Sequence, residues 1–300
     1  MGSNHKFNLS RPPGKNICFR TKSWFNIIFS RSSEMRQGRW KLGIGVLLFI
    51  GALTGWGSTA YPNGQKQIPE PIPGPGRVFL YTAKKFGVPI LKASIKIENG
   101  SSEQGKPLYR VHASVDSLHY FGFLFRMNNR FLSTMQAETC SPVRYVKEID
   151  QEGLLMKKKN YIQTLTFDAS HQKVVVEKKG EDGKQEISLP PETYDPLSMF
   201  ARYYLRDEFH PGEDIRISLY DGMKLRQMVF HSKKEKVKSK MYGEVEAVCL
   251  ESTTSFSTFG DKEGIIRIWY TNDREKIPIL IELDLPIGIV RFELEEVREG

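Results

Sequence analysis

The sequence predicts a mainly β fold: a large curved antiparallel sheet or open barrel with one amphipathic helix packed on it. Three features predict it. From Arg77 onward, apolar and polar residues alternate in about a dozen short segments. Turn-forming residues separate those segments. One stretch alone, beginning at Asp195-Pro196, carries a strong helix start.

The strands follow in order. Val78-Phe79-Leu80-Tyr81 opens the first. Pro89 to Glu98 alternates up to Asn99-Gly100, and Leu108 to Val115 returns as its hairpin partner. Tyr161 to Phe167 and Lys173 to Lys178 flank a turn at Asp168 to His171. Ile215 to Tyr220 and Leu225 to Phe230 flank Asp221-Gly222, a strong hairpin signal. Segments 244–252, 265–270, 279–285 and 290–297 complete the run. The helix is predicted over 195–208. Asp195 is its N-cap, and Leu197, Phe200, Ala201, Tyr204 and Leu205 form one apolar stripe. Pro211-Gly212 stops it. Ser117 to Asn128 is aromatic-rich, and periodicity leaves it open between helix and strand.

The chain divides into a basic leader (1–60), a Pro/Gly-rich linker (61–76) and one β domain (77–300). The net charge of +9 belongs to the leader. Residues 1–60 hold nine Lys and Arg against Glu34 alone, so the rest carries 35 basic and 34 acidic residues. A near-neutral domain argues against nucleic-acid binding, which needs a cationic surface. Leu42 to Trp56 is uncharged and apolar, follows Arg36, Arg39 and Lys41, and precedes Ser58-Thr59-Ala60. That is the pattern of a secretory signal, with cleavage after Ala60 and a periplasmic destination. Met35 is the natural start for such a signal. The alternative is an uncleaved inner-membrane anchor with the C-terminal part in the periplasm.

Few residues suggest chemistry. The six histidines form no metal-binding spacing, and no nucleophile elbow, phosphate loop or dinucleotide fingerprint occurs. Asp195 with Ser198 reads better as a helix cap than as an acid and nucleophile. The expectation is therefore a protein without catalytic residues, cofactor or metal. Cys140 and Cys249 form an even pair once Cys18 leaves with the leader. A disulfide between them suits an oxidising compartment, and two buried thiols are the other reading. The lysines alternating from Lys233 to Lys240, and Lys157-Lys158-Lys159, read as exposed strand faces or edges, or as contacts for anionic lipid head groups or an acidic partner.

Several short motifs fall in a recognisable order. Tyr194-Asp195-Pro196-Leu197-Ser198 opens the helix, Arg206 follows, then His210-Pro211-Gly212. Ile268-Trp269-Tyr270-Thr271-Asn272-Asp273, Lys276-Ile277-Pro278 and Ile287-Gly288-Ile289-Val290 come after. Over about 77–297 this resembles the bacterial exported domain-of-unknown-function family 3108. Thr271 stands where serine is common in that family, and Pro89-Ile90-Leu91 replace a further glycine. The resemblance implies export and a curved antiparallel sheet. It implies no reaction.

A binding module for a lipid or other apolar ligand, or for an envelope partner, is the first functional expectation. The ligand would lie in a groove between sheet and helix, touching Tyr120, Phe121, Phe123, Phe125 and Trp269. Asp195, Ser198, Arg206, Asp273 and Pro278 are expected to hold the fold. A structural or envelope-assembly protein acting through protein contacts is the alternative, and a hydrolase is a distant third.

Overall fold

The computed structural model describes residues 74–103, 105–122, 124–154, 156–208, 210–256 and 262–299. The leader with its cleavage site, Met35, Cys18, most of the linker and Phe123 lie outside the described residues. Fifteen strands form one sheet: β1 (Arg77–Lys85), β2 (Val88–Asn99), β3 (Leu108–Ser117), β4 (Phe125–Gln136), β5 (Pro142–Gly153), β6 (Met156–Asp168), β7 (Lys173–Lys178), β8 (Lys184–Ser188), β9 (Thr193–Tyr194), β10 (Asp214–Tyr220), β11 (Leu225–Ser239), β12 (Gly243–Phe256), β13 (Lys262–Thr271), β14 (Pro278–Leu285) and β15 (Gly288–Glu299). One helix, α1 (Pro196–Leu205), stands between β9 and β10.

The order across the sheet is β8 down to β1, then β15 down to β9. First and last strands therefore pair in the middle, antiparallel, from Arg77 with Glu299 to Lys85 with Val290. The outer strands β8 and β9 are consecutive in the chain. Every pairing is antiparallel except β9 with β10. Because the sheet is a meander, the turns after β1, β3, β5, β7, β10, β12 and β14 share one end, here called the upper end.

The helix is not a lid with one wet face. The stripe predicted for it is only part of what is buried: Ser198, Met199, Phe200, Ala201, Tyr203 and Tyr204 all are. A helix buried on most sides is a core element. Its aromatics meet the sheet edge-on or tilted: Tyr204 against Phe79 at 5.2 Å, Tyr203 against Phe230 at 5.9 Å, Phe200 against Tyr270 at 6.1 Å. Tyr81 donates its hydroxyl to the Pro278 carbonyl at 2.8 Å. The groove expected between sheet and helix is filled by these side chains.

Four strands, β4, β5, β8 and β9, had no counterpart in the alternation pattern, and the two long ones have a physical reason. Asn129 and Ser133 on β4, and Lys147 and Gln151 on β5, are polar yet buried. Those positions break the apolar alternation that marks a half-buried strand. The ambiguous segment after Ser117 resolves into a single 3-10 turn, His119–Phe121, leading into β4. The Phe86-Gly87 pair makes a two-residue hairpin turn with φ of 52° and 78°, the primed geometry that suits the sheet twist. Beyond Ser232, β11 pairs with β12 alone. The exposed Lys234, Lys236 and Lys238 thus lie on a strand edge, as their alternation suggests.

Candidate functional site

The motif residues hold the fold. The Asp195 carboxylate is buried and accepts from Leu197 N at 2.8 Å, Ser198 N at 3.1 Å and Ser133 Oγ at 2.7 Å. Ser198 returns the bond by accepting from Asp195 N, completing a capping box. Burial nevertheless pushes the Asp195 carboxyl up from its ordinary value, against those hydrogen bonds. Asp273 accepts from Thr271 Oγ1, Glu275 N and Lys276 N, organising the turn into β14. Pro278 opens β14. Arg206 is the exposed C-cap of α1, while the ion pair at that end joins Arg202 to Asp207 at 2.9 Å.

Both remaining cysteines, Cys140 and Cys249, are buried free thiols, the second of the two readings the sequence left open, and not a disulfide. Cys140 sits in the β4–β5 turn at a φ of 56°, and Cys249 lies mid-β12 opposite Lys233 and Trp269. Burial pushes the thiols up to about 11 and about 12 respectively.

Trp269 lies apart from the other predicted contacts. It is buried near the C-terminal end of β13, and its indole N–H donates to the Glu235 carboxylate. Tyr120, Phe121 and Phe125 do come together. The Tyr120 and Phe121 rings are 4.8 Å apart, and Phe121 stacks on Phe125 at 6.0 Å. Tyr120 is half exposed.

That cluster belongs to a larger surface, which sequence reasoning missed. Among the described residues, nine large apolar side chains are exposed. Seven of them, Phe86, Val88, Tyr120, Leu154, Met223, Ile287 and Ile289, stand at the upper end. Most lie on neighbouring turns. The Phe86 Cζ is 3.5 Å from where a Cβ on Gly288 would sit. Tyr120 donates to the Pro89 carbonyl at 3.1 Å, and Leu154 N donates to the Leu124 carbonyl at 2.9 Å. Beneath them Ala83, Leu91 and Val290 form a small separate core, with Ile90, Phe125 and Leu285 packed on it. Phe86 is 69% exposed and Leu154 76%.

Ionisable groups elsewhere serve the backbone. Lys147 is buried on β5, and its ammonium donates to the Asp221 carbonyl at 2.7 Å. Burial lowers it to about 8, with Asp221 opposing and Lys159 and Arg226 adding to the shift. Asp168, Ser170 and His171 lie within hydrogen-bond reach of one another, but the same imidazole nitrogen, Nδ1, meets both Asp168 and Ser170. A catalytic relay needs the two ring nitrogens on opposite partners. Here Asp168 also accepts from His171 N, which makes the trio an exposed turn between β6 and β7. No group of three His, Cys, Asp or Glu placed to hold a metal ion occurs among the described residues. No helix among them is long and apolar enough to cross a membrane.

The model of a family described as a protein of unknown function, DUF3108, matches residues 78–295. The chain belongs to that family. The match spans β1 through most of β15, so it covers the sheet together with α1. Two solved structures are similar to this DUF3108 chain. One is described as a beta-barrel-like protein of domain of unknown function DUF1849 from Brucella abortus. It has 10% identity and a TM-score of 0.49, over 75% of this chain and 97% of that one. The other is a hypothetical protein, CT021, from Chlamydia trachomatis, with 12% identity and a TM-score of 0.32, over 75% and 88%. No curated protein matches the chain.

Proposed function

We propose that this DUF3108 protein is an exported envelope protein that acts by binding a partner, not by catalysis, and that the upper rim is its working surface. The observation that carries this reading is the gathering of seven of the nine exposed large apolar side chains on one end. Large apolar side chains exposed singly are common, but their concentration on one end of the domain points to an interaction site. The leader, with its basic segment, apolar run and small-residue site, supports delivery to the periplasm. The two most unusual buried ionisable groups, Lys147 and Asp195, are engaged in holding a turn and a helix end, which leaves them no reacting partner. The space beside α1 holds aromatic side chains where an acyl ligand would sit.

A photo-crosslinking residue placed at Tyr120 in cells tests this. Adducts to envelope components are expected there, and not at Met241 in the β11–β12 turn, at the opposite end of the sheet. A Tyr120 probe that yields no adduct of any kind, in protein that is correctly folded and exported, rejects the rim as a working surface.

A further inference from the structure

The rim carries more than apolar tips. The four neighbouring turn segments 84–89, 118–124, 154–159 and 286–289 contain Lys84, Lys85, Lys157, Lys158 and Lys159 and no Asp or Glu, with Lys84 and Lys158 paired to Glu293 and Glu152 on the adjoining strands. This local excess sits on a domain that is otherwise near neutral. Lys158 is 72% exposed, 3.6 Å from Glu152, and the Lys85 ammonium lies 5.6 Å from the centre of the Phe86 ring. Lysines flanking exposed Phe, Tyr, Leu and Ile combine two attractions. Their ammonium groups meet anionic head groups, and the apolar tips reach the acyl boundary just below.

The shape points the same way. The apolar residues stand one or two to a turn, on the tips of successive hairpins, so they project as separate points. A soft surface can close around each point, whereas a rigid partner would need a matching socket for every one. Phe86 is also held at a φ of 52°, a conformation unusual for a bulky residue, and the turn presents its ring outward.

We infer that the upper rim docks on the interface of a bilayer containing anionic lipid, with Phe86, Tyr120, Leu154 and Ile287 as the inserting tips. The inference rests on the rim being the working surface, and it names the partner. The test uses the full chain with Cys18→Ser, since Cys140 and Cys249 are buried. An environment-sensitive fluorophore is placed at Leu154→Cys, and separately at Met241→Cys on the opposite end. Vesicles are phosphatidylcholine alone or with phosphatidylglycerol. The Leu154→Cys probe is expected to brighten, shift to the blue and be quenched by brominated lipid on anionic vesicles. High salt should weaken the response on the order of tenfold. The Met241→Cys probe should stay silent even if the apolar leader holds the protein on the vesicle. Circular dichroism matched to the unlabelled chain secures the fold of both. A silent Leu154→Cys probe on anionic vesicles, or equal responses at the two ends, overturns the inference. If Tyr120 crosslinks a protein while the Leu154→Cys probe stays in water, the rim remains a binding surface and the bilayer is not its partner.

Discussion

The ammonium of Lys147 on β5 donates to the backbone carbonyl of Asp221, 2.7 Å away in the turn between β10 and β11. Gln163 on β6 adds a second bond, to the Gly222 carbonyl at 3.1 Å. Strands β5 and β6 lie on one wing of the sheet and β10 and β11 on the other. These side chains join the wings directly, where the ladder ends at β8 and β9 without pairing them.

Replacing Lys147 by Met should therefore loosen the wings. The Asp221 carbonyl would lose its donor, costing about 2–4 kcal/mol of stability by denaturant unfolding. The difference should widen with pH. Burial lowers Lys147 in the folded chain to about 8, below its ordinary value of 10.5, so the unfolded chain binds that proton more tightly. Stability due to Lys147 rises with pH above about 8, and the Met variant lacks that rise. A gap between the two proteins that is constant from pH 7 to about 9.5 would contradict this.

Gly222→Ala attacks the same junction sterically. Gly222 has a φ of +84°, and an added Cβ would lie 2.8 Å from Gln163 Oε1 and 3.0 Å from Leu165 Cδ1. A loss of about 1–3 kcal/mol is expected. Pairing it with Gln163→Ala in a double-mutant cycle should give a non-additive result, because the small partner removes the clash.

Asp195→Ala should cost about 2–4 kcal/mol, through the lost cap and the stranded Ser133 hydroxyl and backbone N–H groups. Asp195→Asn should cost less, since an amide oxygen still accepts from the helix. The folded carboxyl titrates above its ordinary value, so its contribution strengthens as pH falls through that folded value. Thermal unfolding of the Asn variant should show a weaker acid-side dependence than the parent.

Cys140 and Cys249 should resist alkylation in the native protein at pH 8, with both thiols held protonated by burial, and react on unfolding. Reducing agent should leave the melting temperature unchanged. Rapid native labelling of either residue, read by mass spectrometry, would contradict the buried thiol assignment.

Local chemistry was legible wherever it was self-contained. Asp195-Pro196 announces a helix, and Asp221-Gly222 a hairpin, because each acts on residues a few positions away. Strands β4 and β5 were hidden because Ser133 and Lys147 face inward to serve Asp195 and Asp221, partners 62 and 74 residues distant. The burial of α1 was half legible. Its stripe reveals one face, but only the surrounding sheet buries Ser198 and Tyr203 as well. The aromatic run near Tyr120 was visible. The rim was not, because Phe86 and Ile287 become neighbours only through the pairing of β1 with β15.

That central pairing has a consequence for how the chain matures. The closing piece, β15, follows the other fourteen strands along the chain and slots between β1 and β14, the first and the fourteenth of them. Until those twelve residues dock, two long strand edges lie unpaired in mid-structure. Such a keystone makes folding slow to complete and the incomplete sheet dependent on protection while it waits. A stop codon ahead of Gly288 would split the molecule at its centre, whereas a cut between β8 and β9 would open it only at an existing seam.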